Sequence, residues 1–143
     1  MPKIYRAMEG DDGYPRVGST ARCLGVRVPT DGVRVPTDIE PDADGLVYCG
    51  ERGMSVGPSV AALPTHRIPR RLKHIAWDAA GKDSDYVWSM GSGQFEDGNL
   101  CDSLSLCVDR PEHGVVRPAF TMLIDAYTEA LSGTRALWRV DEE

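Results

Sequence analysis

The clearest pattern of apolar and polar positions lies near the C-terminus. Apolar residues recur there at steps of three and four, at Phe120, Leu123, Ile124, Tyr127 and Leu131. This spacing puts them on one face of a helix. Pro118 suits the first helical position and Gly133 the C-terminal cap. We therefore expect an amphipathic helix over 118–133 that packs on a sheet, and a frayed acidic tail at Asp141–Glu143.

The rest of the chain shows short apolar runs separated by glycine and proline, which is typical of strands and ordered loops. Lys3–Ala7 is expected to be the first strand, ended by a turn at Glu9–Gly13. Ser59–Leu63 could form one helical turn. Further strands are expected at Leu46–Cys49, Met54–Val56, His74–Trp77, Tyr86–Met90 and Leu104–Val108. Strands first and one packed helix last predict an α+β fold.

A perfect tandem of seven residues stands in the first third of the chain. Gly25–Asp31 reads GVRVPTD, and Gly32–Asp38 repeats it. Two copies are too few for a solenoid. The alternation Val-Arg-Val would allow either copy to form a strand, and the duplication is interpreted as a lengthened loop or a small hairpin.

Length and composition argue against several classes of protein. The 143 residues favour a single domain over 1–143, and the net charge of −6 argues against a general nucleic-acid binder but not against a local basic site. No apolar run is long enough to span a bilayer, and none follows Met1–Arg6 as a secretory signal would require. The four cysteines lack metal-ligand spacing, so we expect reduced thiols in a cytoplasmic protein, without a metal site or membrane insertion.

The strongest local charge lies in the segment His66–His74, which holds four lysines and arginines and no acid. Such a segment can face water or pair with carboxylates elsewhere. It can also cradle phosphate, because arginine forks bind phosphate oxygens in pairs. A nucleotide, NAD or an RNA backbone would all fit. His66 and His74 could alternatively act as an acid–base pair in RNA cleavage.

Two single residues are candidates for a ligand site. Arg6 lies within an apolar strand, on the face of Ile4 and opposite Tyr5, where it needs a partner. It could form a structural ion pair or an anion clamp at the floor of a cleft. Ser55 lies in a glycine-punctuated stretch where the backbone can approach a ligand closely, or it is simply a loop hydroxyl. That stretch matches neither a P-loop nor a nucleophile elbow.

Several segments, taken in order, resemble a known family. They are Tyr5-Arg6-Ala7, Asp38-Ile39-x-Pro41-x-x-Asp44-Gly45-Leu46-Val47-Tyr48, Gly53-Met54-Ser55-Val56 and Leu63-Pro64-x-His66-Arg67. Together they resemble the Tse-type cytoplasmic toxins of type VI secretion, in particular the second member of that effector series and its bacterial and fungal relatives. Those proteins resemble ADP-ribosyltransferase toxins in fold. The family has one copy of the segment that is duplicated here.

The resemblance implies a split β-sheet of the ADP-ribosyltransferase type with a C-terminal packing helix, and NAD as cofactor. It implies catalytic roles for Arg6, Ser55 and Ser103, the last at the start of a late strand where relatives often have histidine. It implies NAD contacts from Tyr5, Arg6, Met54, Ser55, His66 and Arg67. Met54 stands where the founding member has threonine.

The implied function is a toxin that binds NAD and transfers ADP-ribose to a macromolecular target in the cytoplasm of a recipient cell. A cognate immunity protein would be its partner in a producing bacterium. Cleavage of the nicotinamide–ribose bond passes through an oxocarbenium-like state that a carboxylate stabilises. Familiar transferases place a glutamate on the late strand, whereas Glu96 and Glu112 only flank it here and match no motif. The alternatives are an inactive NAD- or partner-binding module on the same fold, and an RNA-directed toxin.

Overall fold

The chain forms an α+β fold, seen in a computed structural model that describes residues 1–30 and 36–143. The first sheet has the strand order β10-β5-β1-β2, the second has β4-β8-β7-β6, and β3 pairs with β9. All these pairings are antiparallel. The elements are β1 Ile4–Asp11, β2 Tyr14–Pro15, β3 Leu46–Val47, β4 Met54–Val56, β5 Asp85–Met90, β6 Gly98–Cys101, β7 Leu104–Arg110, β8 His113–Pro118, β9 Met122–Leu123, α1 Ile124–Gly133 and β10 Arg139–Val140.

The central strand β1 is buried on both faces. Ile4 and Met8 belong to a core that also holds residues of the second sheet and of α1. Tyr5 and Ala7 point the other way, into a second core formed with residues of the loops between β4 and β5. These loops cover a sheet face that would otherwise expose apolar side chains to water. The strand continues to Asp11, into the predicted turn, because the chain reverses only at the last two residues of that turn, Asp12 and Gly13.

The two four-stranded sheets meet at the end of β4. The amide of Tyr5 donates to the Gly57 carbonyl at 2.8 Å, and the Gly57 amide donates back at 3.0 Å. β4 itself lies against β8 so closely that a Cβ at Gly53 would stand 2.2 Å from the Val116 carbonyl oxygen. Only glycine fits there, so Gly53 fixes where Ser55 lies in the second sheet.

The helix is shorter than the periodicity predicts. It begins at Ile124, since Pro118 ends β8 and Met122–Leu123 pairs with β3. Strand pairing overrides the local pattern here, and Phe120 and Leu123 are exposed. Tyr127 and Leu131 do face the core as expected, and the Tyr127 hydroxyl donates to the Val116 carbonyl and accepts from the Met54 amide. No helix in the described ranges is both long and apolar enough to cross a bilayer.

The expected strands differ from the structure at two further segments, and the tandem can be compared only over its described residues. His74–Trp77 is not a strand; it consists of turns, and Trp77 is 83% exposed. β8 was not predicted, since glycine, arginine and proline interrupt its apolar run. The first heptad of the tandem forms no strand over its described residues, and residues 31–35, which include most of the second heptad, lie outside the described residues.

The C-terminal tail is not frayed. β10 pairs with β5, and the Asp141 amide donates to the Val87 carbonyl. The Asp141 carboxylate accepts from the Ser89 hydroxyl at 2.7 Å and lies 3.0 Å from the Lys3 ammonium. Desolvation raises the pKa of Asp141, but the bonds from Ser89 and Lys3 outweigh it, so this pKa lies below its ordinary value.

This carboxylate makes stability depend on pH. Because the pKa of Asp141 is lower in the folded chain, its contribution is present at neutral pH and is lost as the pH falls below about 4. We expect Asp141→Asn to lower the free energy of unfolding by about 1–2 kcal/mol at neutral pH, with a difference that shrinks in acid. Urea unfolding of both proteins across this pH range checks it, with the exposed Glu143→Gln as control. A difference independent of pH would contradict the assignment.

The tandem allows a second prediction. Asp38 accepts from the backbone amide and the guanidinium of Arg27, so this pair closes the segment that carries the repeat. Deleting Gly32–Asp38 leaves Asp31 next to Ile39, in the chain position that Asp38 held. We expect the deletion to change the free energy of unfolding by about 1 kcal/mol or less, since loop length enters only logarithmically. Asp38→Ala in the full chain should destabilise more, by about 1–3 kcal/mol. Equal losses in the two variants would show that both heptads are structurally required.

Candidate functional site

A cavity of about 440 Å³ opens where the two sheets meet. Its walls come from β1 and β4, from the turn between β7 and β8, and from two loop segments that hold the tandem and the His66 region. The volume is in the range of small-molecule sites. The charged and polar side chains on these walls are Arg6, Arg27, Asp38, Ser55, His66, Arg67, Arg110, Glu112 and His113.

Arg6 forms the inner end of this cavity and is 7% exposed. Its Nη1 donates to the Ser55 carbonyl at 2.8 Å. Its Nε and Nη2 donate to the Cys23 carbonyl at 3.2 and 3.0 Å, and Nη2 also donates to the Ala21 carbonyl at 3.2 Å. The guanidinium therefore joins β1, β4 and the chain before the tandem. The partner of this buried arginine is backbone, not the acidic side chain of an ion pair.

Within residues 1–30 and 36–143, these bonds leave the charge of Arg6 and one of its donors unmatched. A guanidinium has five N–H groups, and described residues accept from four of those on Arg6. No carboxylate of the described chain lies within ion-pair distance of it. Burial accordingly lowers the pKa of Arg6 to about 10. An anion in the cavity would supply both the missing acceptor and the missing negative charge.

The other arginines of the cavity add to the positive charge of Arg6. Arg67 makes no side-chain hydrogen bond or ion pair with the described residues, and burial together with the charge of Arg27 lowers its pKa. Arg27 is held by Asp38, and Arg110 lies 3.6 Å from Glu112. Four arginines thus face two carboxylates in a protein that is acidic as a whole. This arrangement suits a ligand with at least two negative charges, such as a diphosphate.

The structure brings four of the predicted site residues to one cavity: Arg6, Ser55, His66 and Arg67. Ser55 lies on β4 with its side chain half-buried, and its hydroxyl bonds to no residue of the described ranges. It is a strand residue, not a loop hydroxyl, and it is available to a ligand.

The remaining predicted residues lie elsewhere. Met54 is 1% exposed and points into the core next to α1. The Tyr5 ring packs in the second core, because it is on the opposite face of β1 from Arg6. Ser103 precedes β7 and lines a separate shallow depression with Cys101 and Thr134. The structure therefore does not place Tyr5, Met54 or Ser103 on the wall of the cavity.

The basic segment divides between two roles. His66 and Arg67 line the cavity, whereas Arg71 donates to the Asp83 and Asp85 carbonyls and bonds Glu142 at 2.6 Å. His74 is exposed and does not line the cavity, so the structure does not bring His66 and His74 together at this site. The expected phosphate-binding segment is thus reduced to its first two residues.

Five charged wall residues were not assigned to the site from the sequence: Arg27, Asp38, Arg110, Glu112 and His113. Arg27 and Asp38 belong to the tandem, which was interpreted as a lengthened loop or a small hairpin, and the alternation Val-Arg-Val was the available signal. The other three flank a hairpin turn whose second strand was not predicted. Among the described residues, no group of three His, Cys, Asp or Glu side chains could hold a metal ion.

Comparison of the chain with protein-family models and with curated proteins gives no match. The resemblance to Tse-type toxins therefore depends on the sequence motifs given above.

Variants of Arg6 and Arg67 separate the contribution of an arginine to stability from its contribution to anion binding. Arg6→Ala leaves three carbonyls without donors and should lower the free energy of unfolding by about 3 kcal/mol or more. Arg67→Gln removes no bond among described residues and should change it by about 0.5 kcal/mol or less, while weakening the binding of inorganic pyrophosphate about tenfold. Calorimetric titration and urea unfolding of both variants check this. An Arg67→Gln protein that binds pyrophosphate like the wild type would contradict the anion site.

Proposed function

We propose that this chain is a toxin that binds NAD in the cavity and transfers ADP-ribose to a target in the cytoplasm of a recipient cell. One observation carries the proposal. The buried Arg6 guanidinium lines a cavity at the junction of two sheets, and in the described chain it has no carboxylate partner and one N–H without an acceptor. NAD would supply the diphosphate that completes it and, on loss of nicotinamide, the ADP-ribosyl group.

The wall residues can divide the ligand between them. Arg6 and Arg67 suit the two phosphates, because a guanidinium presents paired donors to phosphate oxygens. The free Ser55 hydroxyl, next to the carbonyl that Arg6 holds, suits a ribose hydroxyl. The antiparallel sheets joined at Tyr5 and Gly57 are compatible with the split sheet of ADP-ribosyltransferases.

A carboxylate for the ribosyl cation is also present on the wall. Asp38 is 9% exposed and is held by Arg27, whereas Glu112 follows β7 and is 53% exposed. Among described residues, the Glu112 carboxylate forms an ion pair with Arg110 alone, at 3.6 Å. We assign it the role of stabilising positive charge at the ribose, which the sequence motifs left without a residue.

The first test asks whether NAD binds and is cleaved. The wild-type protein should be stabilised by NAD and should release nicotinamide, measured by thermal melting and by chromatography. Stabilisation without release would indicate the inactive NAD-binding module instead. If NAD neither stabilises the protein nor is cleaved, the proposal is wrong.

Ser55→Ala sharpens the test. We expect an unchanged melting temperature, because the hydroxyl bonds no described residue, and an affinity for NAD about tenfold lower, which corresponds to about 1.4 kcal/mol. Ser84→Ala is the matched control, since Ser84 is equally polar but exposed and outside the cavity. If Ser55→Ala binds NAD as the wild type does, Ser55 does not contact the ligand.

A further inference from the structure

We propose that His113 is the general base of this site, that it takes the proton from a hydroxyl acceptor of ADP-ribose, and that Asp109 positions it. The inference rests on the proposed function, because it requires that the cavity binds the ADP-ribosyl donor. His113 matches no motif of the sequence.

The geometry is that of an oriented imidazole at the cavity wall. His113 begins β8 and pairs with Arg110 across the turn from β7, where a bulge interrupts the register. Its side chain is 23% exposed and lines the cavity, and its Nδ1 lies 2.7 Å from Oδ1 of Asp109. An ionised carboxylate can only accept, so Nδ1 carries a proton, and in the neutral ring Nε2 then keeps its lone pair. A carboxylate that fixes the tautomer in this way prepares Nε2 to accept a proton.

Asp109 is ionised at neutral pH. Partial burial raises the pKa of its carboxyl, but the hydrogen bond and charge of His113 outweigh burial and lower this pKa below its ordinary value. Asp109 itself does not line the cavity, so it acts through His113.

Charged groups from β1, from the tandem, from the His66 region and from the β7–β8 hairpin share the cavity or the hairpin with His113. Those on its own hairpin and those across the cavity are Asp109, Arg110, Glu112, Arg6, Arg27, Asp38, His66 and Arg67. Among these, Asp38 is paired with Arg27 and Glu112 with Arg110, so Asp109 is the carboxylate that bonds the imidazole.

In the proposed step, the bond between the ribose carbon and the nicotinamide nitrogen breaks, and its electron pair leaves with nicotinamide. The acceptor oxygen bonds to the ribose carbon and gives its proton to Nε2 of His113, which passes it to water. A hydroxyl needs such a base because it is a weak nucleophile at neutral pH, whereas a thiolate or a carboxylate acceptor has no proton to lose. The base therefore points to a hydroxyl acceptor, with water taking this place when no target is present.

NAD hydrolysis supplies the test, since water is then the acceptor. Nicotinamide release is measured from about pH 5 to about pH 9 for the wild type, His113→Gln, Asp109→Ala, Asp109→Asn and the exposed His74→Gln as matched control. We expect His113→Gln to lower kcat about 100-fold or more, with KM changed less than about twofold, and to lose the decline of kcat in acid. Asp109→Ala should lower kcat less than His113→Gln does. Asp109→Asn should have a kcat between those of Asp109→Ala and the wild type, because its amide oxygen can still accept from Nδ1.

Nitrogen NMR of the His113 ring gives a readout that needs no NAD. The neutral ring should carry its proton on Nδ1 in the wild type and in Asp109→Asn, and should shift toward the Nε2 tautomer in Asp109→Ala. A wild-type ring protonated on Nε2 would overturn the proposal, as would a His113→Gln enzyme with unchanged kcat and pH profile. A rise in KM at constant kcat would make His113 a binding residue and would also overturn it. A folded wild type that releases no nicotinamide would refute the proposed function itself, and this inference with it.

Discussion

The structure depends on the placement of one positive charge in its interior. Arg6 stands in the middle of a strand that is buried on both faces, where an ion without partners would be strongly destabilising. The carbonyls of Ala21, Cys23 and Ser55 meet this requirement, and in doing so they hold the chain before the tandem and the edge of the second sheet against β1. Replacing the guanidinium by an apolar group would leave those carbonyls without donors, so sheet junction and cavity depend on the same side chain.

The same requirement explains why the cavity is electropositive. The carbonyls satisfy the geometry of the guanidinium but contribute no formal charge, and neighbouring arginines add to the field without a matching number of acids. Such a site is less stable without an anion than with one, which is common where a binding surface is preorganised for its ligand. The remainder of the chain carries the excess of carboxylates, and several of these, such as Asp85 with Arg22, are engaged in ion pairs away from the cavity.

The α+β class and the alternation of β1 could be predicted because they depend on local periodicity. The start of α1 could not, since Leu123 fits a helical stripe as well as a strand and only the pairing of Met122 and Leu123 with β3 decides between the two. Arg6, Ser55, His66 and Arg67 were accessible to motif comparison. Arg110, Glu112 and His113 were not, because they reach the cavity through the register of a hairpin whose return strand carries no alternating pattern. That Tyr5 faces away follows from the period of a strand, which a motif by itself does not take into account.

The pair that closes the repeat also bears on how this chain could change over generations. Arg27 is the third residue of the first heptad and Asp38 is the last residue of the second, so the contact spans the two identical units. Any whole number of heptads would present an arginine at one end and an aspartate at the other, and each added or lost unit keeps the reading frame. Slippage during DNA replication, to which identical tandem sequences are prone, would therefore vary the number of residues between this arginine and this aspartate, while both residues of the contact are kept. The number of residues in this segment can therefore change from one generation to another, whereas the two charged residues that close it are retained.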